Sequence, residues 1–99
     1  MDIKIQSIHF DADKKLIAFI EEKVKKLAKY HDGIIGAEVF LRLEKSSDKD
    51  NKVSEIKLLV PGSDIFAKRQ CSTFEEATDL SVEAITSQIK KQKEKARGL

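Results

Sequence analysis

Cysteine, proline and tryptophan are almost missing from this chain of 99 residues: it has one, one and none, with two histidines. Each scarcity removes a class of function. A lone Cys71 cannot build a disulfide framework, so a reducing cytosol is the simplest setting. His9 and His31 stand apart, with no further histidine or cysteine at ligand spacing, so neither a metal site nor a cofactor is expected. Gly33 and Gly36 do not make a phosphate-cradling loop. Cys71 precedes a helix start, a place that can activate a thiol, but no base accompanies it and an inert, partly buried thiol is expected. Glu75, Glu76, Asp79 and Glu83 form no recognisable catalytic pair, so the chain does not read as an enzyme. No apolar run approaches the roughly 18 residues of a membrane span. The opening MDIKIQSIHF lacks the basic start and apolar centre of a signal peptide.

Charge is what the chain has in quantity. Charged residues make up 36% and hydrophobic residues 40%, the balance of one folded domain over residues 1–99. The net charge of +2 hides a segregation. Residues Lys14 to Lys29 carry six lysines against Glu21 and Glu22, a local +4; Lys90 to Leu99 carry four lysines and Arg97 against Glu94, again +4. The remainder holds eight basic and fourteen acidic side chains, which sum to −6. Such segregation sets up a local positive field, whose usual partner is phosphate, with acidic protein or anionic membrane as lesser alternatives.

Periodicity places these clusters. Ile3 and Ile5 alternate with polar neighbours as a short strand. Asp13 can cap a helix from Lys14 to near Tyr30, in which Leu16, Ile20, Val24 and Leu27 share one face and His31-Asp32-Gly33 stops the helix. Val39, Leu41 and Leu43 mark the inward side of a second strand, and SSDKDN (Ser46 to Asn51) turns the chain. Ile56, Leu58 and Val60 mark the inward side of a third strand, and Pro61-Gly62-Ser63-Asp64 makes a hairpin turn. Ile65 and Ala67 open a fourth strand, on whose inward parity Arg69 also falls. Thr73-x-x-Glu76 is a capping box before a long helix burying Phe74, Ala77, Thr78, Ser81, Val82, Ile85 and Ile89. The order β-α-β-β-β-α predicts a two-layer α+β domain, with a four-stranded mixed sheet and both helices on one face.

The basic residues admit two explanations. Lys15, Lys25, Lys26 and Lys29 lie away from the buried stripe of the first helix and Lys23 at its border, as a solvated face would have them; yet two glutamates cannot neutralise them. In SQIKKQKEKAR (Ser87 to Arg97), one or two lysines are accounted for by the helix dipole, at about 0.3–1 kcal/mol each. Five basic residues around the axis are not. A rival surface is the open face of the sheet, where Phe40, Leu59 and Phe66 point outward beside Arg42 and Lys68. It could stack single-stranded RNA or join two copies of the chain, although the aromatic ribonucleoprotein signature is absent and a plain apolar patch is the simpler reading.

Two stretches carry a resemblance. LIAFIEEKVKKLAKYHDGIIGAEVFLRLEK (Leu16 to Lys45) and QIKKQKEK (Gln88 to Lys95) resemble the short ribosome hibernation-promoting factors, also known as ribosomal subunit interface proteins, over essentially the whole chain. The resemblance implies a fold akin to double-stranded RNA-binding domains. It also implies docking on rRNA of the small ribosomal subunit, in the mRNA and tRNA channel, blocking translation in starved or stationary cells. The implied rRNA-facing residues are Lys23, Lys26, Lys29 and Tyr30 of the first helix and Lys90, Lys91, Lys93 and Lys95 of the second. A cytoplasmic protein, monomeric off the ribosome, follows, with neither membrane nor small-molecule substrate as partner and any ribosome pairing left to a further dimerising factor. There are departures. Ser87 and Ala84 stand where relatives often carry basic residues, shifting the expected grip toward Lys90 and beyond. Thr73 replaces a frequent Asp cap, and Arg69 replaces a small residue. Neither an acidic tail nor a C-terminal dimerisation domain is expected.

Overall fold

A computed structural model of the chain describes residues 1–45 and 49–96. Residues 46–48 of the predicted turn and Arg97 of the basic end lie outside the described residues, as does the side chain of Ala96. The elements are β1 (Asp2–Ser7), α1 (Lys14–Lys25) continued by a 3-10 turn (Lys26–Lys29), β2 (Gly36–Leu43), β3 (Lys52–Leu59), β4 (Ile65–Cys71) and α2 (Phe74–Ala96). One sheet runs β1-β2-β3-β4, with β1 parallel to β2 and the other pairs antiparallel. This is the expected α+β topology.

Local chemistry sets the boundaries. The Asp13 carboxylate accepts from the Leu16 amide at 2.8 Å and starts α1, while the Thr73 hydroxyl accepts from the Glu76 amide at 3.1 Å and starts α2. The Glu76 carboxylate does not complete the capping box; it lies by Cys71 instead. At the end of the first helix, His31 Nδ1 accepts from the Gly33 amide at 2.9 Å and holds the turn. Gly62 takes φ +95° in the β3–β4 loop, a left-handed conformation in which a side chain is strained. At Gly36 the need is space: a Cβ there would lie 2.8 Å from the Asp2 carbonyl, so the side chain is omitted where β1 runs alongside.

The two helices cover one sheet face. Ile20, Val24 and Leu27 meet Val39, Leu41, Ile56 and Leu58, and α2 adds Phe74, Ala77, Ile85 and Ile89. Phe10, in the β1–α1 connection, stacks on Phe74 with ring centroids 5.0 Å apart. Three hydroxyls lie inside this layer, all fully buried. Ser81 donates to the Ser54 carbonyl at 3.0 Å, and the Ser54 and Thr78 hydroxyls share a hydrogen bond at 3.1 Å. Their small volume lets the start of α2 lie close on β3, and their mutual bonding offsets the cost of burying them.

Three further corrections concern helix geometry and burial. The first helix does not continue as an α-helix to Tyr30, but tightens to 3-10 geometry after Lys25. Leu43 has inward parity but is 53% exposed, because β2 outruns the helices there. Val82 is half-buried rather than buried, since it faces the cleft between the helices.

Candidate functional site

The concentration of unpaired positive charge lies where α2 leaves the core. Ile89 is fully buried and every residue from Lys90 to Lys95 is exposed. At about 1.5 Å per residue, the seven helical residues from Lys90 to Ala96 carry the helix about 10 Å past its last core contact. Straight-chain residues with high helix propensity sustain this part, which lies beyond the buried core.

Alongside it lies the end of the first helix. The 3-10 turn has three residues per turn, so Lys26 and Lys29 stand above one another, with Tyr30 just after them. The Lys90 ammonium lies 5.6 Å from the Tyr30 ring centroid, a cation–π contact that ties the emerging helix to α1. Lys26 and Tyr30 line the cleft between the helices together with Val82 and Thr86, and Lys93 borders a second cleft over His31, Asp32 and Gly33. Helical spacing puts Lys91 and Lys95 on another flank of α2, in line with Ala84 and Ser87.

Lys23 belongs to a different environment. Its ammonium is 3.1 Å from Asp79 of α2 and 5.3 Å from the Phe19 ring centroid, and its side chain is 33% exposed. It joins the two helices, with its charge already answered. Glu83 lines the same cleft and adds a carboxylate beside that pair. No sequence pattern announced the Lys23–Asp79 pair, because it depends on which faces of two distant helices meet. Among the described residues, none of Lys26, Lys29, Lys90, Lys91, Lys93 and Lys95 has a carboxylate within 4.0 Å. The structure thus brings Lys26, Lys29, Tyr30, Lys90 and Lys93 together and sets Lys91 and Lys95 beside them.

The open sheet face is unlike the apolar patch that the sequence suggested. Across the strands, one row reads Lys4, Glu38, Lys57, Phe66 and the next Gln6, Phe40, Glu55, Lys68. Opposite charges therefore alternate, and Arg42 adds ion pairs to Glu44, at 2.7 Å, and to Glu55. These bonds raise the Arg42 pKa, the Glu44 hydrogen bond contributing most, and that same bond holds the Glu44 carboxyl below its ordinary value. Phe66 is 49% exposed, but Phe40 and Leu59 are half-buried, and β3 separates the two rings. Cys71 is buried, and desolvation, followed by the Glu76 hydrogen bond, pushes its thiol pKa up, the reverse of activation. Among the described residues no cluster of acidic, histidine and cysteine side chains could hold a metal, and no helix is long and apolar enough to cross a membrane.

Comparison with known proteins decides the family. The family described as Sigma 54 modulation protein / S30EA ribosomal protein matches residues 3–97. The chain belongs to that family. Its relatives include a ribosome hibernation promoting factor of Pseudomonas putida, 26% identical over 99 residues, covering all of this chain and 93% of the relative. Another, from Azotobacter vinelandii, is 28% identical over 95 residues, covering 96% of this chain and 85% of the relative. Two solved structures share the fold. The N-terminal domain of Thermus thermophilus Protein Y has a TM-score of 0.78 at 24% identity, covering 92% of this chain and 98% of that one. A ribosomal subunit interface protein from Coxiella burnetii has a TM-score of 0.81 at 22% identity, with 94% and 98% covered. As an S30EA family member, the chain shares both sequence and architecture with proteins named for ribosome hibernation and the subunit interface.

Proposed function

We propose that this protein is a cytoplasmic, non-enzymatic hibernation factor that binds rRNA of the small ribosomal subunit in the mRNA and tRNA channel and excludes both ligands. The observation that carries the reading is the two-turn basic projection of α2, fastened through Lys90 to Tyr30 and flanked by Lys26 and Lys29. A rigid rod with cations on several sides suits a groove bounded by phosphates. Phosphate contacts supply affinity, and the shape of the rRNA supplies selectivity. Inhibition is steric and uses no bond chemistry. Lys26, Lys29, Tyr30, Lys90, Lys91, Lys93 and Lys95 make the contact, and Lys23 contributes by setting the angle between the helices. The domain acts as a monomer, under starvation or in stationary phase, and ribosome pairing falls to another factor.

The test is sedimentation of the purified protein with separated ribosomal subunits across a salt series. Salt-sensitive co-sedimentation with the small subunit, with mRNA in competition, is expected; its absence overturns the proposal. Alanine at Phe40 and Phe66 leaves this binding unchanged, because the laced sheet face takes no part. Loss of binding in that variant, with lysine variants unaffected, transfers the function to the sheet.

A further inference from the structure

Arg69 has inward parity in an edge strand yet is exposed, and what its side chain does there points to a use. The phase of the hydrogen-bond ladder is fixed by the Glu44 amide, which donates to the Asn51 carbonyl at 2.9 Å. From that pair, alternate residues of β3, Val53, Glu55 and Lys57, turn their backbone groups to β2. Ser54 and Ile56 therefore turn theirs to β4, where Arg69 and Ala67 are their partners. Phe66 and Lys68, with Gln70 beyond them, are left with backbone groups facing outward, as an unpaired edge.

The outward carbonyls of Phe66 and Lys68 are both occupied. Gln88, reaching down from α2, donates to the Phe66 carbonyl at 2.9 Å, and Arg69 Nη1 donates to the Lys68 carbonyl at 2.8 Å. Small neighbours on α2 make room for the arginine, which borders a shallow cleft with Leu80, Glu83, Ala84 and Ser87. An unpaired strand edge is a template for another strand. This one is also self-complementary. Antiparallel pairing about a two-fold axis at Ala67 sets Phe66 opposite Lys68 of a second copy, twice, with the ring free to receive the lysine stem and charge.

We propose that Arg69 and Gln88 seal the β4 edge against pairing with a second copy of this chain, so that β4 is a latent self-association surface held closed by two side chains. The proposal is independent of rRNA binding.

Sedimentation velocity of the wild-type chain and of R69A/Q88A, over a wide concentration range, tests it. The double variant should acquire a concentration-dependent dimer that the wild type lacks. In that dimer the Phe66 and Lys68 amides should become protected from hydrogen exchange. Adding F66K sets lysine opposite lysine and should return the protein to the wild-type sedimentation coefficient. Should R69A/Q88A lose its far-UV helical signal, R69S and Q88A singly, each freeing one carbonyl, take its place with weaker association expected. Unchanged sedimentation in a folded variant overturns the proposal, as does a dimer insensitive to F66K or one already formed through β4 in the wild type.

Discussion

Replacing Lys90, Lys91 and Lys93 together by glutamine separates binding from folding. All three are exposed and none has a carboxylate partner among the described residues. Glutamine nearly matches lysine in helix propensity. The intramolecular losses can be counted. Lys90 gives up its contact with the Tyr30 ring, about 0.5–1 kcal/mol at an exposed site. Lys93, in the last turn of α2, gives up about 0.3–1 kcal/mol of dipole complementarity. Among the described residues Lys91 has neither an ion pair nor a cation–π contact, so stability should fall by about 1–2 kcal/mol in urea unfolding, from the sum of those two ranges. Binding should fall far more. Each phosphate no longer neutralised lowers the slope of log K against log salt by about 0.7–0.9, so three lost contacts take about 2–3 from it. The assay is co-sedimentation with the small subunit at stepped salt, beside urea melts of the same preparations. A folded triple variant that keeps the wild-type slope would falsify the placement of phosphates along α2.

Three further outcomes follow from the packing and the ion pairs. Thr78→Val leaves the buried Ser54 hydroxyl without its partner and should cost about 1–3 kcal/mol, most of it recovered in S54A/T78V; an additive double variant in urea melts would dismiss the hydroxyl cluster as a unit. Gly62→Ala meets no atom within 4 Å, so its cost is backbone strain alone, about 1–2 kcal/mol, read as a lower unfolding midpoint, and Gly62→Asn should cost less. Because the folded-state pKa of Glu44 lies below its ordinary value, the stability it contributes is present above the ordinary carboxylate range and is lost as pH falls through that depressed value. E44Q should therefore lower stability at neutral and alkaline pH, flatten the acid limb, and leave stability unchanged once the pH lies below that depressed value. An unaltered acid limb refutes the linkage.

The element order was legible because each element announces itself locally. A capping aspartate, a period near 3.6, alternation in the strands and a Pro-Gly turn suffice to write β-α-β-β-β-α. The basic terminus was legible for a related reason: Lys90 to Lys95 follow the last buried position, so no fold could hide them. Leu43 was misplaced because parity names a face, while burial depends on how far the helices reach across it. The open sheet face looked apolar strand by strand. Only registration of four strands showed that Lys4, Glu38 and Lys57, with Arg42, Glu55 and Lys68, interleave its apolar residues with paired charge.

The sequence by itself therefore determined the secondary structure, the two-layer class and the two positive clusters, since these depend on propensity, period and local charge. Tertiary structure decided which of those charges remain free. Lys23 in α1 and Lys26 in the 3-10 turn that continues it are three residues apart, yet the first is bound to Asp79 and the second is not, because only the packing of α1 against α2 brings Asp79 within reach. Contacts distant in sequence also close the β4 edge and join Lys90 to Tyr30. Such contacts leave no periodic signature, because their geometry exists only once the layers have packed.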